Sequence, residues 1–210
     1  MTEAGSVLSF SLLALGMVLT PGPNMIYVIS RSVTQGPKAG LVSVGGVALG
    51  MLFYMLCAAF GITALMLAVP LAYDALKFGG AVYLLYLAWQ AVKPNGRSPF
   101  QVRDLPVDGP RRLFLMGLLT NLLNPKIAVL YLSLLPQFID PSLGSVLKQS
   151  LLLGSAQIVI SASVNSLIAF MAGSIASFLM MRPGWALAQR WIMATALAGL
   201  AARMALESRR

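Results

Sequence analysis

Long apolar stretches, separated by short polar connectors, fill most of this chain of 210 residues. Hydrophobic residues make up 58% of the sequence and charged residues only 10%, and a soluble domain of this size cannot bury so much apolar surface. Because the hydrocarbon core of a bilayer is about 30 Å thick, a helix needs about 20 apolar residues to cross it. The sequence therefore predicts an all-α integral membrane protein.

Six stretches are long enough to cross a bilayer, and we expect each to form one transmembrane helix. They cover residues 6–30, 40–69, 71–92, 113–138, 146–181 and 185–206. The second and fifth are longer than one crossing requires, so their ends are expected to bend or to lie at the interface. The first follows the acidic Glu3 rather than a basic run and is too long for a cleaved signal peptide.

Basic residues are concentrated in alternate connectors. If the spans alternate, nine basic residues fall on one side, namely Arg31, Lys38, Lys93, Arg97, Arg103, Arg111, Arg112, Arg182 and Arg190, against five on the other. Since basic connectors stay in the cytoplasm, we predict a multi-pass protein of the cytoplasmic (inner) membrane with both termini outside. The net charge of +9 then indicates contact with anionic membrane lipids rather than with nucleic acid, because no basic patch accompanies exposed aromatic residues.

A proline-rich connector divides the chain into two halves. Residues 93–112 contain four prolines and scattered charges, which predicts a flexible cytoplasmic linker. Residues 1–92 and 113–210 then form two repeats of three helices each. An odd number of crossings gives the halves opposite orientations, which is the arrangement of an inverted repeat. The alternative is that unrelated prolines kink two ordinary membrane helices.

Two polar motifs interrupt the first helix of each half. They are Thr20-Pro21-Gly22-Pro23-Asn24 and Asn121-Leu122-Leu123-Asn124-Pro125-Lys126. Proline has no amide hydrogen, so Pro21 frees the carbonyl of Met17 and Pro125 frees that of Asn121. Within a membrane, broken backbone is tolerated only against protein or a water-filled cavity. Paired breaks in corresponding helices therefore predict the binding site of a transporter.

The groups at these breaks suit a zwitterion. We expect new helices to begin after Gly22 and Asn124, the two N-caps, and their free amides, with Lys126, to hold a carboxylate. The freed carbonyls, with Asn24 and Asn121, would hold an ammonium group. The predicted substrate-binding residues are Pro21, Gly22, Pro23, Asn24, Asn121, Asn124, Pro125 and Lys126. An ionisable side chain at membrane depth favours a functional role for Lys126; the alternative is a side chain that reaches the interface.

Two further patterns have a functional and a structural interpretation. Gln157, Ser161 and Asn165 recur every four residues and share one helix face, so they are candidates to line a pathway or, alternatively, to connect helices. Gly46 and Gly50 form a Gly-xxx-Gly pair, which predicts close helix packing or, alternatively, a contact in a homodimer.

The sequence argues against enzymatic classes. It contains no histidine and a single cysteine, Cys57, which removes the usual zinc ligands and any paired-thiol chemistry. No pair of acids lies within a span, so a membrane hydrolase lacks its acid and base. We expect no enzyme, no metal and no cofactor.

The motif at residues 20–24, followed by Ser30-Arg31-Ser32 and Gly36, resembles the opening signature of the LysE/RhtB amino-acid exporters. Matches continue in order at 46–50, 76–84, 121–126 and 135–141, so that the resemblance covers about residues 6–206. It implies a secondary transporter that exports amino acids or derivatives, such as homoserine, threonine or other small neutral or basic ones, driven by a proton or cation gradient. A non-transporting scaffold or subunit, and an exporter of another small solute, are the alternatives.

One position departs from the family pattern. Many relatives carry aspartate directly after the Gly-xxx-Gly pair, where this chain has Met51. A carboxylate that the resemblance implies for coupling or for ammonium binding is therefore missing. Coupling through Asp74 or Asp140, a different substrate, and uncoupled transport are the alternatives, and Asp140 is also a candidate for a simple interfacial cap.

Overall fold

Two bent helix pairs and two long helices form the part of the chain that the computed structural model describes. The described residues are 3–20, 22–68 and 106–181, with short stretches between 78 and 93 and between 184 and 202. Their helices are α1 (Glu3–Leu19), α2 (Pro23–Gln35), α3 (Pro37–Ala68), α4 (Pro110–Leu122), α5 (Pro125–Val129) and α6 (Val146–Met181). A π-helical turn (Leu130–Leu134) and a 3-10 turn (Leu135–Phe138) continue α5, and a second 3-10 turn (Pro141–Leu143) precedes α6. No strand occurs in these residues, as expected.

Both predicted helix breaks are confirmed. The axes of Ala4–Leu19 and Pro23–Gln35 differ by 54°, and those of Pro110–Leu122 and Lys126–Phe138 differ by 55°. By length and composition, Pro37–Gly61 and Val146–Ala172 can each cross a membrane, and the described residues hold up to four spans if each bent pair is one. The predicted spans 71–92 and 185–206 lie largely outside the described residues, so the six-helix inverted repeat stays a prediction.

Glycines bring α3 and α4 into backbone contact. A Cβ added at Gly46 would collide with the backbone carbonyl of Phe114, and one added at Gly117 would collide with the carbonyl of Ser43. Small residues allow this close approach in membranes, where packing rather than water exclusion drives association. The Gly-xxx-Gly face predicted from the sequence is therefore used for packing within the chain.

The end of the connector is held against α2. Arg31 forms an ion pair of 2.8 Å with Asp108, and both side chains are buried. Gln35 donates to the carbonyl of Asp108 at 2.9 Å and accepts from its amide at 3.1 Å. Asp108 also pairs with Arg112 at 3.0 Å. This part of the predicted flexible linker is thus fixed, whereas residues 94–105 lie outside the described residues.

The main apolar core connects the bent pairs to the long helices. It contains Phe10 of α1, Met51 and Met55 of α3, Tyr131 of the π-helical turn and Leu153 of α6. Because the helices next to both breaks contribute to this core, packing fixes the breaks in position relative to α3 and α6.

Candidate functional site

The two helix breaks meet inside the protein. Lys126, in the first turn of α5, is only 7% exposed. Its Nζ donates hydrogen bonds to the carbonyl of Met17 at 2.7 Å and to that of Thr20 at 2.5 Å. Met17 lies in the last turn of α1 and Thr20 directly follows this helix, so both carbonyls belong to the other break. Segments more than one hundred residues apart therefore share one buried hydrogen-bond network.

The predicted helix starts are confirmed. Gly22 is the N-cap of α2, which begins at Pro23, and no side chain caps this end. Asn124 is the N-cap of α5, and its Oδ1 accepts a hydrogen bond from the amide of Lys126 at 3.1 Å. Proline in the first turn costs nothing at these positions, because its missing amide would have had no helical partner.

Groups of the chain itself take up the freed carbonyls. The Met17 carbonyl accepts from Lys126, as described above, and the Asn121 carbonyl accepts from the amide of Asn124 at 2.9 Å. The Leu122 carbonyl accepts from the hydroxyl of Tyr54 at 2.8 Å. The carbonyls of Met17 and Asn121 thus each accept a hydrogen bond within the protein, and their role in holding a substrate's ammonium group stays a prediction.

A small cavity lies beside Lys126. The space open to water within it is about 20 Å³, which is room for about one water molecule. Seven of the predicted site residues line it: Gly22, Asn24, Asn124, Lys126, Gln157, Ser161 and Asn165. The pathway candidates of α6 and residues from both breaks thus line one cavity.

Other predicted residues lie away from this cavity. Asn121 is buried against α3, where a Cβ added at Gly50 would lie 2.7 Å from its Oδ1, and Pro23 is exposed. Asp140 caps the 3-10 turn that precedes α6, accepting from the amide of Ser142 at 3.0 Å, and it is not among the cavity residues. Pro21, Asp74 and the side chain of Pro125 fall outside the described part of the chain.

Three amide oxygens of the cavity residues lack a hydrogen-bond donor. Within the described structure, Asn24 Oδ1, Gln157 Oε1 and Asn165 Oδ1 are buried and have no partner. Asn165 is held in place by its own Nδ2, which donates to the Ser161 carbonyl at 2.8 Å. A buried acceptor without a partner costs about 1–3 kcal/mol. Three such acceptors at one cavity can be satisfied by a hydrogen-bond donor that enters it, either water or a ligand.

The rest of the cavity wall is apolar. The residues that form it are Met17, Val18, Met25, Met51, Ile127 and Leu130. Apart from Met51, which stood out as a departure from the family pattern, these residues give no signal in the sequence. An apolar residue in an apolar span does not show whether it faces lipid, core or cavity.

The charge distribution of the cavity suits a zwitterion. Among the described residues that line it, Lys126 is the one with an ionisable side chain, and a Cβ added at Gly22 would lie 3.3 Å from its Nζ. The Lys126 amine therefore lies beside the uncapped N-terminus of α2, where the helix dipole favours negative charge. The unpartnered amide oxygens of the same cavity favour a positive donor.

Comparisons with known proteins identify a family that this chain matches over most of its length. The profile of the family described as LysE type translocator matches residues 15–208. The chain is 30% identical over 160 residues to the uncharacterized membrane protein YrhP of Bacillus subtilis, covering 71% of this chain and 75% of YrhP. It is 33% identical over 127 residues to the leucine efflux protein of Salmonella typhimurium, covering 60% of each. No solved structure matches the chain.

Proposed function

The chain belongs to the LysE type translocator family, and we propose that it exports amino acids from the cytoplasm through the cavity between its two helix breaks. The observation that carries this proposal is the combination of Lys126 with three unpartnered amide oxygens in one buried cavity. Placing polar groups at membrane depth costs free energy, and such groups usually mark a binding site or a transport pathway.

The cavity offers separate partners for the two charges of an amino acid. An α-ammonium group has three hydrogens to donate, which matches the oxygens of Asn24, Gln157 and Asn165. Lys126 also has three, of which the carbonyls of Met17 and Thr20 accept two. The third, together with the N-terminus of α2, is free to hold the carboxylate.

The relatives support amino acids as the substrate class. Proteins named leucine efflux protein are 33% identical to the chain over 127 residues. Because the chain spans 60% of their length, transport of the same amino acid does not follow from that likeness. Their names favour an amino-acid exporter over a scaffold or an exporter of another kind of solute.

We further propose that export is driven by a proton or cation gradient. The described cavity residues include no carboxylate, and Asp140 is occupied in capping a turn. A proton taken up at this site would have to use Lys126, whereas a carboxylate such as Asp74 would have to act from outside the described residues.

Alternating access around the breaks is the mechanism that we propose for transport. The almost equal bends of 54° and 55° support two corresponding broken helices, as in an inverted repeat of six spans with both termini outside the cytoplasmic membrane. The cavity would then open to one side at a time as one half moves against the other.

Purified protein in liposomes provides the test. Vesicles are loaded with a panel of labelled amino acids, and efflux is followed at two imposed pH gradients. We expect efflux of at least one amino acid above that of empty liposomes, with a rate that changes with the gradient. Absence of any amino-acid efflux would contradict the proposal, and efflux unaffected by the gradient would contradict proton coupling.

A further inference from the structure

We propose that Met51 determines which substrates the cavity accepts, and that it selects amino acids with neutral, apolar side chains. This inference rests on the proposed function, because it assigns a subsite within the same cavity. The observation behind it is that the cavity has one polar wall and one apolar wall.

Met51 reaches the cavity because of the way α3 packs. Gly50, the preceding residue, is where the backbone of α3 approaches Asn121 of α4. Val47, Met51 and Met55 recur every four residues, so they share a core-facing side of α3, which lies about 100° around the helix from Gly50. Of these three, Met51 lines the cavity and is 2% exposed.

The apolar wall is continuous with the core of the protein. Met17, Met51, Ile127 and Leu130 all belong to the main hydrophobic cluster and all line the cavity. The polar wall comes from α6, through Gln157, Ser161 and Asn165, and in equal number from residues at the two breaks. An amino acid is divided in a similar way, because its ammonium and carboxylate groups are charged and its side chain can be apolar. Bound with its charges at the polar groups, it directs the side chain toward the apolar wall.

Charged side chains do not fit this wall. A charge placed against buried apolar groups requires a partner of opposite sign, and the described residues that line the cavity include no carboxylate. A neutral apolar side chain instead gains from burial, by about 0.8 kcal/mol for each CH₂ group.

Because the cavity is small, its methionine side chains have to change conformation when a substrate binds. A space of about 20 Å³ does not admit an amino acid, so binding requires wall residues to move. Methionine has three rotatable bonds and adapts its shape more readily than branched residues. Met17, Met25 and Met51 contribute such side chains to the wall, which suits apolar substrates of several shapes.

The experiment measures selectivity rather than total activity. Efflux of leucine, phenylalanine and lysine is measured in proteoliposomes with the wild type, Met51→Ala and Met51→Asp. Met55→Ala is the matched control, because Met55 belongs to the same cluster one helical turn away and is not among the cavity residues.

In the wild type we expect leucine efflux to exceed lysine efflux. A change of one methylene in an apolar pocket alters discrimination about tenfold or more, so Met51→Ala should raise the phenylalanine-to-leucine ratio at least about tenfold. Met51→Asp should lower leucine efflux by a similar factor, whereas Met55→Ala should leave the ratios unchanged.

Two results would overturn this inference while leaving amino-acid export intact: ratios that are unchanged in Met51→Ala, or lysine efflux equal to leucine efflux in the wild type. Failure of the wild type to release any amino acid is a different outcome. It contradicts the proposed function itself, and this inference with it.

Discussion

The Nζ atom of Lys126 donates a hydrogen bond of 2.7 Å to the carbonyl oxygen of Met17, in the last turn of α1. One break thus supplies the donor that proline withholds at the other. In a membrane, where no water reaches the broken backbone, such a donor has to come from protein. The same contact brings the Lys126 amine to the cavity wall, so the stability of the breaks and the chemistry of the cavity depend on one side chain.

Replacing Lys126 with methionine should destabilise the protein. The change leaves two buried carbonyls, those of Met17 and Thr20, without their shared donor. At about 1–3 kcal/mol for each unsatisfied group, we expect a clearly lower midpoint of thermal unfolding in detergent. Lys148→Met, at an exposed position in α6, is the control and should change the midpoint little. Equal midpoints for the two variants would contradict the assigned role.

The packing of α3 on α4 predicts opposite outcomes at adjacent glycines. A Cβ at Gly46 collides with backbone of α4, whereas a Cβ at Gly45 makes an ordinary contact of 3.5 Å with the ring of Phe114. Gly46→Ala should therefore cost about 1–3 kcal/mol through overpacking, and Gly45→Ala should be neutral. Thermal unfolding of the two variants in the same detergent provides the comparison, and similar losses would show that the contact is not close.

The contact between α2 and the connector predicts unequal effects for two arginines. Arg31 and Arg112 both pair with Asp108, but the side chain of Arg31 is buried and that of Arg112 is 68% exposed. Breaking a buried pair costs up to about 3–5 kcal/mol, part of which Arg112 would offset because it still pairs with Asp108, whereas an exposed pair contributes about 0–1 kcal/mol. Arg31→Met should thus lower the unfolding midpoint far more than Arg112→Met. The reverse order would contradict this structural assignment.

The local features of the site were predictable from the sequence, and its long-range features were not. The missing amide of proline fixes where each helix breaks, and the preference for Gly22 and Asn124 as N-caps fixes where the next one starts. The partners of Lys126 lie more than one hundred residues away, and no local pattern encodes that distance. For the same reason, the position of Asp108 in a connector does not predict its ion pair with Arg31.

The residues that line the cavity could also be predicted only in part from the sequence. Gln157, Ser161 and Asn165 were predictable, because polar residues spaced by four in an apolar span stand out. The apolar wall was not, since residues such as Leu130 and Ile127 resemble every other span residue. Asn121 carries the chemistry expected of a site residue, yet the close approach of Gly50 places it between α3 and α4.

Gly22 allows the space beside Lys126 to be tested without backbone strain. Its φ of −158° is extended, so alanine can adopt it, and the added Cβ would lie 3.3 Å from Lys126 Nζ. We expect Gly22→Ala to reduce efflux about tenfold, equivalent to about 1.4 kcal/mol, with normal membrane insertion. Gly16→Ala, where nothing lies within 4 Å of the added Cβ, should retain efflux. Full activity of Gly22→Ala would exclude this space from the transport site.

The most direct test of the central claim compares two buried glutamines of α6. Gln157 lines the cavity with an oxygen that lacks a donor in the described structure, whereas both polar atoms of Gln149 bond to the backbone of Asp140. Gln157→Met removes an unsatisfied group, which is neutral or stabilising, and it also removes a proposed ligand of the substrate ammonium. Gln149→Met breaks satisfied bonds away from the cavity.

The measurement is amino-acid efflux from proteoliposomes at equal protein content, together with the thermal unfolding midpoint of each variant in detergent. Gln157→Met should keep or raise the midpoint and lose about tenfold or more in efflux, whereas Gln149→Met should lower the midpoint, by about 1–3 kcal/mol of stability, and retain efflux. Wild-type efflux in Gln157→Met would contradict the claim that the cavity between the two breaks binds the substrate.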